Sequence, residues 1–379
     1  MNENIVLSMQ KFLKSILSLD DIKAILVPEQ KNIKNKNTLT GLMPALITDP
    51  SHIDRANPIA PAFAINAAKL VSKLTHKPMG KKIAVVMRPC EIRALIELVK
   101  LKQASIDDII IISFDCPGAY TNKDLAKLSF DDSNDFTHDF CKDFIAGQEP
   151  LNKEISLSSA CLSCENFTGE NADISMELIG RDLSTNLFLN PLTKKGKDIL
   201  NQLDISFLDQ DIESSKRDTA LAEILARKSE FKEKMFEKIN EKTNKLEKLS
   251  EYFAACVNCY NCRVACPVCY CKECVFNTDV FVHDPYQYMQ WAKRKGSIKL
   301  PADTSFYHIT RLAHMSLACV GCGQCSNACP NDINVMELFK YIGEKTQSAF
   351  EYEAGKDINQ PPPLSVFKEE EYPEIVGIN

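Results

Sequence analysis

Over the first half of the chain, short apolar runs alternate with stretches in which apolar residues recur at helical spacing. Lys23 to Val27, Met43 to Thr48, Ile83 to Met87 and Ile109 to Ser113 read as strands apolar enough to be buried. Pro61 to Leu74 and Glu91 to Lys102 read as covering helices. The alternation predicts an α/β domain over residues 1–205, a mixed sheet with helices. The second helix is entered straight from a strand through Arg88-Pro89-Cys90, which puts Cys90 at the C-terminal edge of the sheet, where open α/β folds keep their ligands.

The pattern then changes. Residues 206–250 form a charged helical connector, in which Leu221, Leu225, Met235, Ile239, Leu246 and Leu249 sit among many Lys and Glu. This is one long amphipathic helix or a helix pair, either docking a partner subunit or lying across its own domain. Residues 251–348 hold further helical runs, Asp284 to Lys295 and Thr304 to Met315, between two cysteine-rich segments. After Ala349 the sequence PPPLSVFKEEEYPEI predicts an extended tail over 349–379.

A chain of 379 residues exceeds the size of a single core. No stretch approaches the roughly 20 apolar residues of a membrane span, and the N-terminus carries no basic-then-apolar leader pattern, so a cytoplasmic protein is expected. Mixed charges with a net charge of -6 leave no footprint for nucleic acid. Sixteen cysteines in such a chain indicate metal binding rather than disulfides.

Eight of them fall in two copies of one pattern, CVNCYNCRVACP from Cys256 to Pro267 and CVGCGQCSNACP from Cys319 to Pro330. Both read C-x2-C-x2-C-x3-C-P, the [4Fe-4S] spacing in which three thiolates on a tight loop cap three iron corners and the fourth, next to proline, serves the partner cluster. The expected sets are Cys256, Cys259, Cys262 and Cys329, and Cys319, Cys322, Cys325 and Cys266. Zinc ribbons, which need two well-separated pairs without the C-x3-C-P ending, fit less well. A long insertion between the motifs favours a mostly α-helical ferredoxin-like domain with two clusters. Cys90, Cys116, Cys161 and Cys164 make either a third [4Fe-4S] site, as separate cysteines converging at strand ends, or buried free thiols. Cys269, Cys271 and Cys274, in VCYCKEC, could cap a fourth site with Cys141, the one cysteine left over, or be redox-active or inert. His283, His308 and His314 lie nearby in the chain.

The α/β part resembles the beta-subunit family of coenzyme F420-reducing hydrogenases and formate dehydrogenases. Arg88-Pro89-Cys90 ahead of a helix, Cys116 after an apolar strand, and Cys161-x-x-Cys164-Glu-Asn-Phe running into Ala172-Asp173-Ile174-Ser175 carry the likeness. CYNCRVACPVCYCKEC and HMSLACVGCGQCSNACP resemble the formate dehydrogenase branch. The resemblance implies a flavin-bearing iron-sulfur subunit in which Cys90, Cys116, Cys161 and Cys164 hold a cluster close to FAD. After ADIS the chain departs from members that use the deazaflavin coenzyme, reading Met176 to Gly180 and then Leu192-Thr193-Lys194-Lys195-Gly196. Asn66, Lys69 and Arg88 are candidates for contacts to FAD.

Nothing reads as a nucleophile elbow, HExxH or Walker loop, and no G-x-G-x-x-G follows a strand. Primary oxidation therefore falls to another subunit. The chain is expected to relay electrons from a formate dehydrogenase or hydrogenase catalytic subunit to a flavin or a heterodisulfide-reductase-like partner. The competing readings are a free-standing flavin reductase of a soluble acceptor such as coenzyme F420, and a zinc-structured interaction scaffold.

Overall fold

The computed structural model describes residues 4–30, 41–78, 80–128, 133–145, 155–181, 187–205 and 214–366. Six strands, β1 (Ile22–Gln30), β2 (Leu42–Ile47), β3 (Lys82–Val86), β4 (Ile109–Phe114), β5 (Ile174–Glu177) and β6 (Phe188–Pro191), form one sheet in the order β2-β1-β3-β4-β5-β6. The inner four run parallel, and β2 and β6 are antiparallel edges. The expected α/β fold with a mixed sheet is therefore present, and the four expected strands are β1 to β4.

The two-residue period of a strand decides which core each side chain enters. Ile25, Val27, Ala84, Val86, Ile110 and Ile112 face one core, against α1 (Ile5–Leu17) and α5 (Ser133–Ile145). Ala24, Leu26, Ile83, Val85, Ile109 and Ile111 face the other, against α2 (Ala68–Leu74) and α3 (Pro89–Lys100). This second core continues without a break into the cysteine-rich lobe through Phe253, Val268, Val320, Leu338 and Phe339.

The remaining helices in the α/β part are α4 (Asn122–Leu125), α6 (Ser159–Leu162) and α7 (Lys194–Gln202). Then come α8 (Ser214–Thr243), α9 (Leu246–Tyr252), α10 (Asn261–Ala265), α11 (Pro285–Lys295), α12 (Thr304–Met315), α13 (Gln324–Asn327) and α14 (Val335–Ala349). The cysteine-rich lobe is mostly helical, as expected, with no strand among its described residues.

Two expectations need correction, and one open alternative is decided. Of Pro61 to Leu74 only the last part is helical, because the carbonyls before it are taken by tertiary partners. Ala60 and Ala62 accept from Arg88 (2.5 and 3.1 Å), Pro61 from the Tyr120 amide (3.0 Å), and Phe63 from Gln324 and Asn327 (2.8 and 3.1 Å). Of the alternatives left open for the charged connector, the described residues show a helix pair, α8 and α9, with the inward face of α8 lying across the chain's own domain. Arg217 grips Asp115, Lys228 donates to the Cys161 carbonyl at 2.6 Å, Lys232 bridges Glu165 and Glu344, and Ile239 is buried. The segment after Ala349 is not extended where it is described. Tyr352 and Ala354 are buried against α3, where the Tyr352 hydroxyl and the Gly355 amide donate to Glu97 at 2.6 and 2.7 Å. Residues 367–379 of the expected tail lie outside the described residues.

Candidate metal centre

The two cysteine motifs fold alike. In each loop the third and fifth residues adopt left-handed backbone: Asn258 (φ 49°) and Tyr260 (φ 61°) in the first, Gly321 (φ 67°) and Gly323 (φ 81°) in the second. Glycine reaches this region freely, whereas a bulky residue such as Tyr260 is held there against a cost of order 1–3 kcal/mol. The turn brings amides onto sulfur: Asn258 N–H lies 3.5 Å from Cys256 Sγ, and while burial raises the thiols of Cys319 and Cys322, the Gly321 and Gln324 amides oppose part of that rise. Short helices α10 and α13 then carry Cys262 and Cys325, and these helices pack on each other.

The fourth cysteine of the first motif, Cys266, lies beside the second loop. Burial pushes the Cys322 and Cys325 thiols up, and the charge of Cys266 adds to it in both; Cys319 acts likewise on Cys266. In the opposite direction Asn331, two residues past Cys329, donates to the Ala255 carbonyl at 2.6 Å beside Cys256.

In the α/β part, Cys90 opens α3 after β3, Cys116 follows β4, and Cys161 and Cys164 lie on and just after α6. The four line one apolar cavity with Phe63 and Cys322. Cys90 is pushed well up, first by burial and then by the charge of Cys322, so this group of four adjoins the second motif directly. Arg88 Nη1 stands 3.2 Å from Cys116 Sγ, and the Ala119 amide 3.3 Å from Cys161 Sγ. Gly323 touches α6 so closely that a Cβ there would fall 2.6 Å from that of Ala160.

Asn66, Lys69 and Arg88 all turn toward sulfur. Asn66 Oδ1 accepts from the Ala68 amide at 3.0 Å, while its buried Nδ2 has no oxygen or nitrogen acceptor and lowers the Cys322 thiol. Lys69 donates to the Val264 carbonyl at 3.0 Å beside Cys266 and Cys269. Arg88 is buried and bonded between Cys116 and the carbonyls of Ala60, Ala62 and Gly118.

Cys141 is not brought to Cys269, Cys271 and Cys274. It is buried on α5 beneath the opposite face of the sheet, where burial raises its thiol and Arg88 and Cys116 are its charged neighbours. Cys269 lies next to Cys266, with a thiol pushed up to about 11 by burial and then by that neighbour. Cys271 is exposed, and Cys274 packs with Cys262 and Tyr307. The helix pairing of α5 with α1 keeps Cys141 on the far side.

From sequence, α12 offers His308 and His314 as possible ligands with a structural role as the alternative, and it supplies much of the surroundings of Cys256 and Cys262. The Tyr307 hydroxyl is 3.4 Å from Cys262 Sγ and Arg311 Nη1 is 3.1 Å from the same sulfur. His308 stacks on Phe253 at 3.6 Å with Nε2 3.4 Å from Cys256 Sγ, and burial takes its pKa down to about 3. His283 pairs with Asp303 at 3.3 Å, and His314 is exposed. Lys340 of α14 is, after Arg311, a second residue that sequence reasoning missed: it is half-buried, donates to Ser163, and lies beside both Cys164 and Cys319. The signal for both cations is a lone Lys or Arg at an apolar position of an amphipathic helix.

The donor set fits iron-sulfur cubanes. Its sulfurs are grouped and mostly half-buried; burial raises their thiols, and the amides and cations that meet them oppose that rise. Among the described residues no three His, Cys, Asp or Glu converge on a point where one ion could sit.

Comparison with known proteins agrees. A model of the C terminus of the coenzyme F420 hydrogenase/dehydrogenase beta subunit matches residues 80–211, and one of a 4Fe-4S dicluster domain matches 252–333. The chain is 30% identical over 308 residues, 75% of each chain, to the F420-dependent formate dehydrogenase 1 subunit beta of Methanococcus maripaludis. It is 25% identical over 343 residues, 86% of each chain, to the F420-dependent formate dehydrogenase subunit beta of Methanocaldococcus jannaschii. The protein is an iron-sulfur electron-transfer subunit. It belongs to the family of coenzyme F420 hydrogenase and dehydrogenase beta subunits.

Proposed function

We propose that this chain is the electron-relaying beta subunit of a formate dehydrogenase, taking electrons from a catalytic subunit and delivering them through FAD to coenzyme F420 or to a heterodisulfide-reductase-like partner. The cavity that Cys322 shares with Cys90, Cys116, Cys161 and Cys164 carries the reading, because it brings the second cysteine motif beside the third group.

Cys256, Cys259, Cys262 and Cys329 would hold one cluster, Cys319, Cys322, Cys325 and Cys266 the second, and Cys90, Cys116, Cys161 and Cys164 the third. Such clusters pass single electrons, and FAD converts them into a hydride. The protein's own groups arrange the route. The left-handed loops aim amides at sulfur, Arg88 fixes Cys116, and the small residues Gly323 and Ala160 let the second loop approach α6.

Two surface features support the ends of the line. Cys259 is exposed, and the same lobe carries the exposed apolar side chains Val257, Val264, Val282, Tyr286 and Met289, a surface suited to a partner subunit. At the other end a cleft of ≈ 410 Å³ lies between α6 and the Cys322 loop, with Lys123 and Lys127 on its wall. Its size is within the range of small-molecule sites, and we assign FAD to it rather than to Asn66, Lys69 and Arg88, which are engaged inside the protein.

The test is to mix the anaerobically purified chain with a formate dehydrogenase catalytic subunit and formate. Bleaching of the brown chromophore followed by reduction of F420 is expected. Bleaching without extractable flavin would remove the FAD step, and a colourless zinc protein would refute the relay.

A further inference from the structure

Arg311 is a buried cation without a carboxylate. It is 3% exposed, its Nη1 donates to Cys262 Sγ at 3.1 Å and its Nη2 to the Cys262 carbonyl at 3.3 Å, and its Nε is buried with no partner. Tyr307 and Phe339 lie near the guanidinium, with ring centroids at 5.6 and 4.7 Å. Burial alone would drive off its proton, and the negative groups that oppose this are Cys262 first, then Tyr307, Cys266 and Cys325. Cys262 belongs to the first expected set and Cys266 and Cys325 to the second. A charge sealed in an apolar lobe is costly unless an opposite charge faces it, and among the described residues the groups that face Arg311 are the Cys262 sulfur and carbonyl, the Tyr307 hydroxyl-bearing ring and the cysteines of the second motif, with no carboxylate within ion-pair distance.

We propose that Arg311 is the shared counter-charge of the two ferredoxin-type clusters and holds the reduction potentials of both up. The inference rests on the cluster assignment above. Adding an electron makes a cluster more negative, so a fixed positive charge beside it stabilises the reduced form more than the oxidised form. A cation placed between two such centres acts on both, and it also offsets their mutual repulsion when both are reduced. Arg311 is thus a positioning and tuning residue rather than a ligand. Its place on α12, one turn after Tyr307 and His308, explains why the insertion between the motifs is held so close to the cysteines.

The experiment is an EPR-monitored redox titration of the full chain, purified without oxygen, as wild type, R311M, R311Q and R311K, with iron and sulfide measured on every sample. Neutral variants that load iron should show two potentials lowered by at least a tenfold change in equilibrium constant, 59 mV for one electron, while R311K stays nearer wild type. Unchanged potentials, or movement of only one, would overturn the proposal. If neither neutral variant loads iron but R311K does, the requirement for charge is upheld; if R311K also fails, side-chain shape is what matters and the proposal falls. A wild-type chain without iron would instead defeat the cluster assignment itself.

Discussion

Arg217 closes a two-pronged bond on Asp115, with Nη1 to Oδ2 at 2.6 Å and Nη2 to Oδ1 at 3.0 Å. Asp115 is buried, and its Oδ2 also accepts from the Leu178 and Ile179 amides at 2.8 and 3.0 Å. One carboxylate therefore ties the first turns of α8 to the end of β4, one residue before Cys116. Arg217→Met leaves that charge buried and unpaired, which is expected to cost about 3 kcal/mol. Hydrogen exchange should show faster opening of the start of α8, whereas unchanged protection there would refute the anchoring role.

Glu177 gives the pH dependence. Burial raises its carboxyl, but hydrogen bonds from Arg181 and Asn190 and the charge of Arg217 outweigh this and hold it below the usual range. A carboxyl whose folded pKa is depressed adds stability above its unfolded value of about 4.3 and loses it as pH falls through the folded value. Wild type should therefore exceed Glu177→Gln in unfolding midpoint at pH 6 to 7, and the gap should close below about pH 4. A gap independent of pH would contradict the assignment.

Gly323 combines a φ of 81° with the 2.6 Å approach to Ala160. Gly323→Ala must both strain the loop and push it off α6, a change of about 1–3 kcal/mol. Slower electron passage between the second motif and the Cys90 group, read by rapid-freeze EPR, is expected with iron content retained. Wild-type rates would show that the close approach is not needed.

The Tyr352 hydroxyl donates to Glu97 at 2.6 Å in the segment strapped across α3. Tyr352→Phe removes one buried bond to a charged acceptor, worth about 1.5–3 kcal/mol. Limited proteolysis should then cut the chain after Ala349 sooner than in wild type; equal rates would mean that Ala354 and Gly355 hold the strap alone.

Much of this is legible in the sequence, for identifiable reasons. β1, β3 and β4 are apolar runs rich in Ile and Val and largely buried on both faces, so composition marks them, whereas the edge strand β2 leaves Met43 and Leu46 exposed. β5 shows in the sequence only as part of the ADIS string, and its neighbour Asp173 proves structural: its carboxylate accepts from the Ile111 amide at 2.8 Å and the Thr193 hydroxyl at 2.5 Å. The stretch from Leu192 to Gly196 packs on that same string, with Gly196 pressed against the Asp173 carbonyl. Spacing exposes the two cysteine loops because three ligands of each are local. It cannot show that Cys141 faces the opposite core, since that depends on which side of the sheet α5 packs. Nor can it reveal Arg311 and Lys340, whose meaning comes from sulfurs contributed by distant segments. The strapped end is hidden because Tyr352 and Gly355 bind Glu97, a residue more than 250 positions away.

The central claim is that twelve of the cysteines form three adjoining [4Fe-4S] sites. It is tested most directly by measuring iron, acid-labile sulfide and zinc on one anaerobic sample of wild type beside Cys266→Ser. Wild type should hold roughly twelve iron and twelve sulfide, four of each per cubane, and the variant should lose about four of each from the second motif's site. Zinc in place of iron, or a Cys266→Ser chain with undiminished iron, would contradict the account.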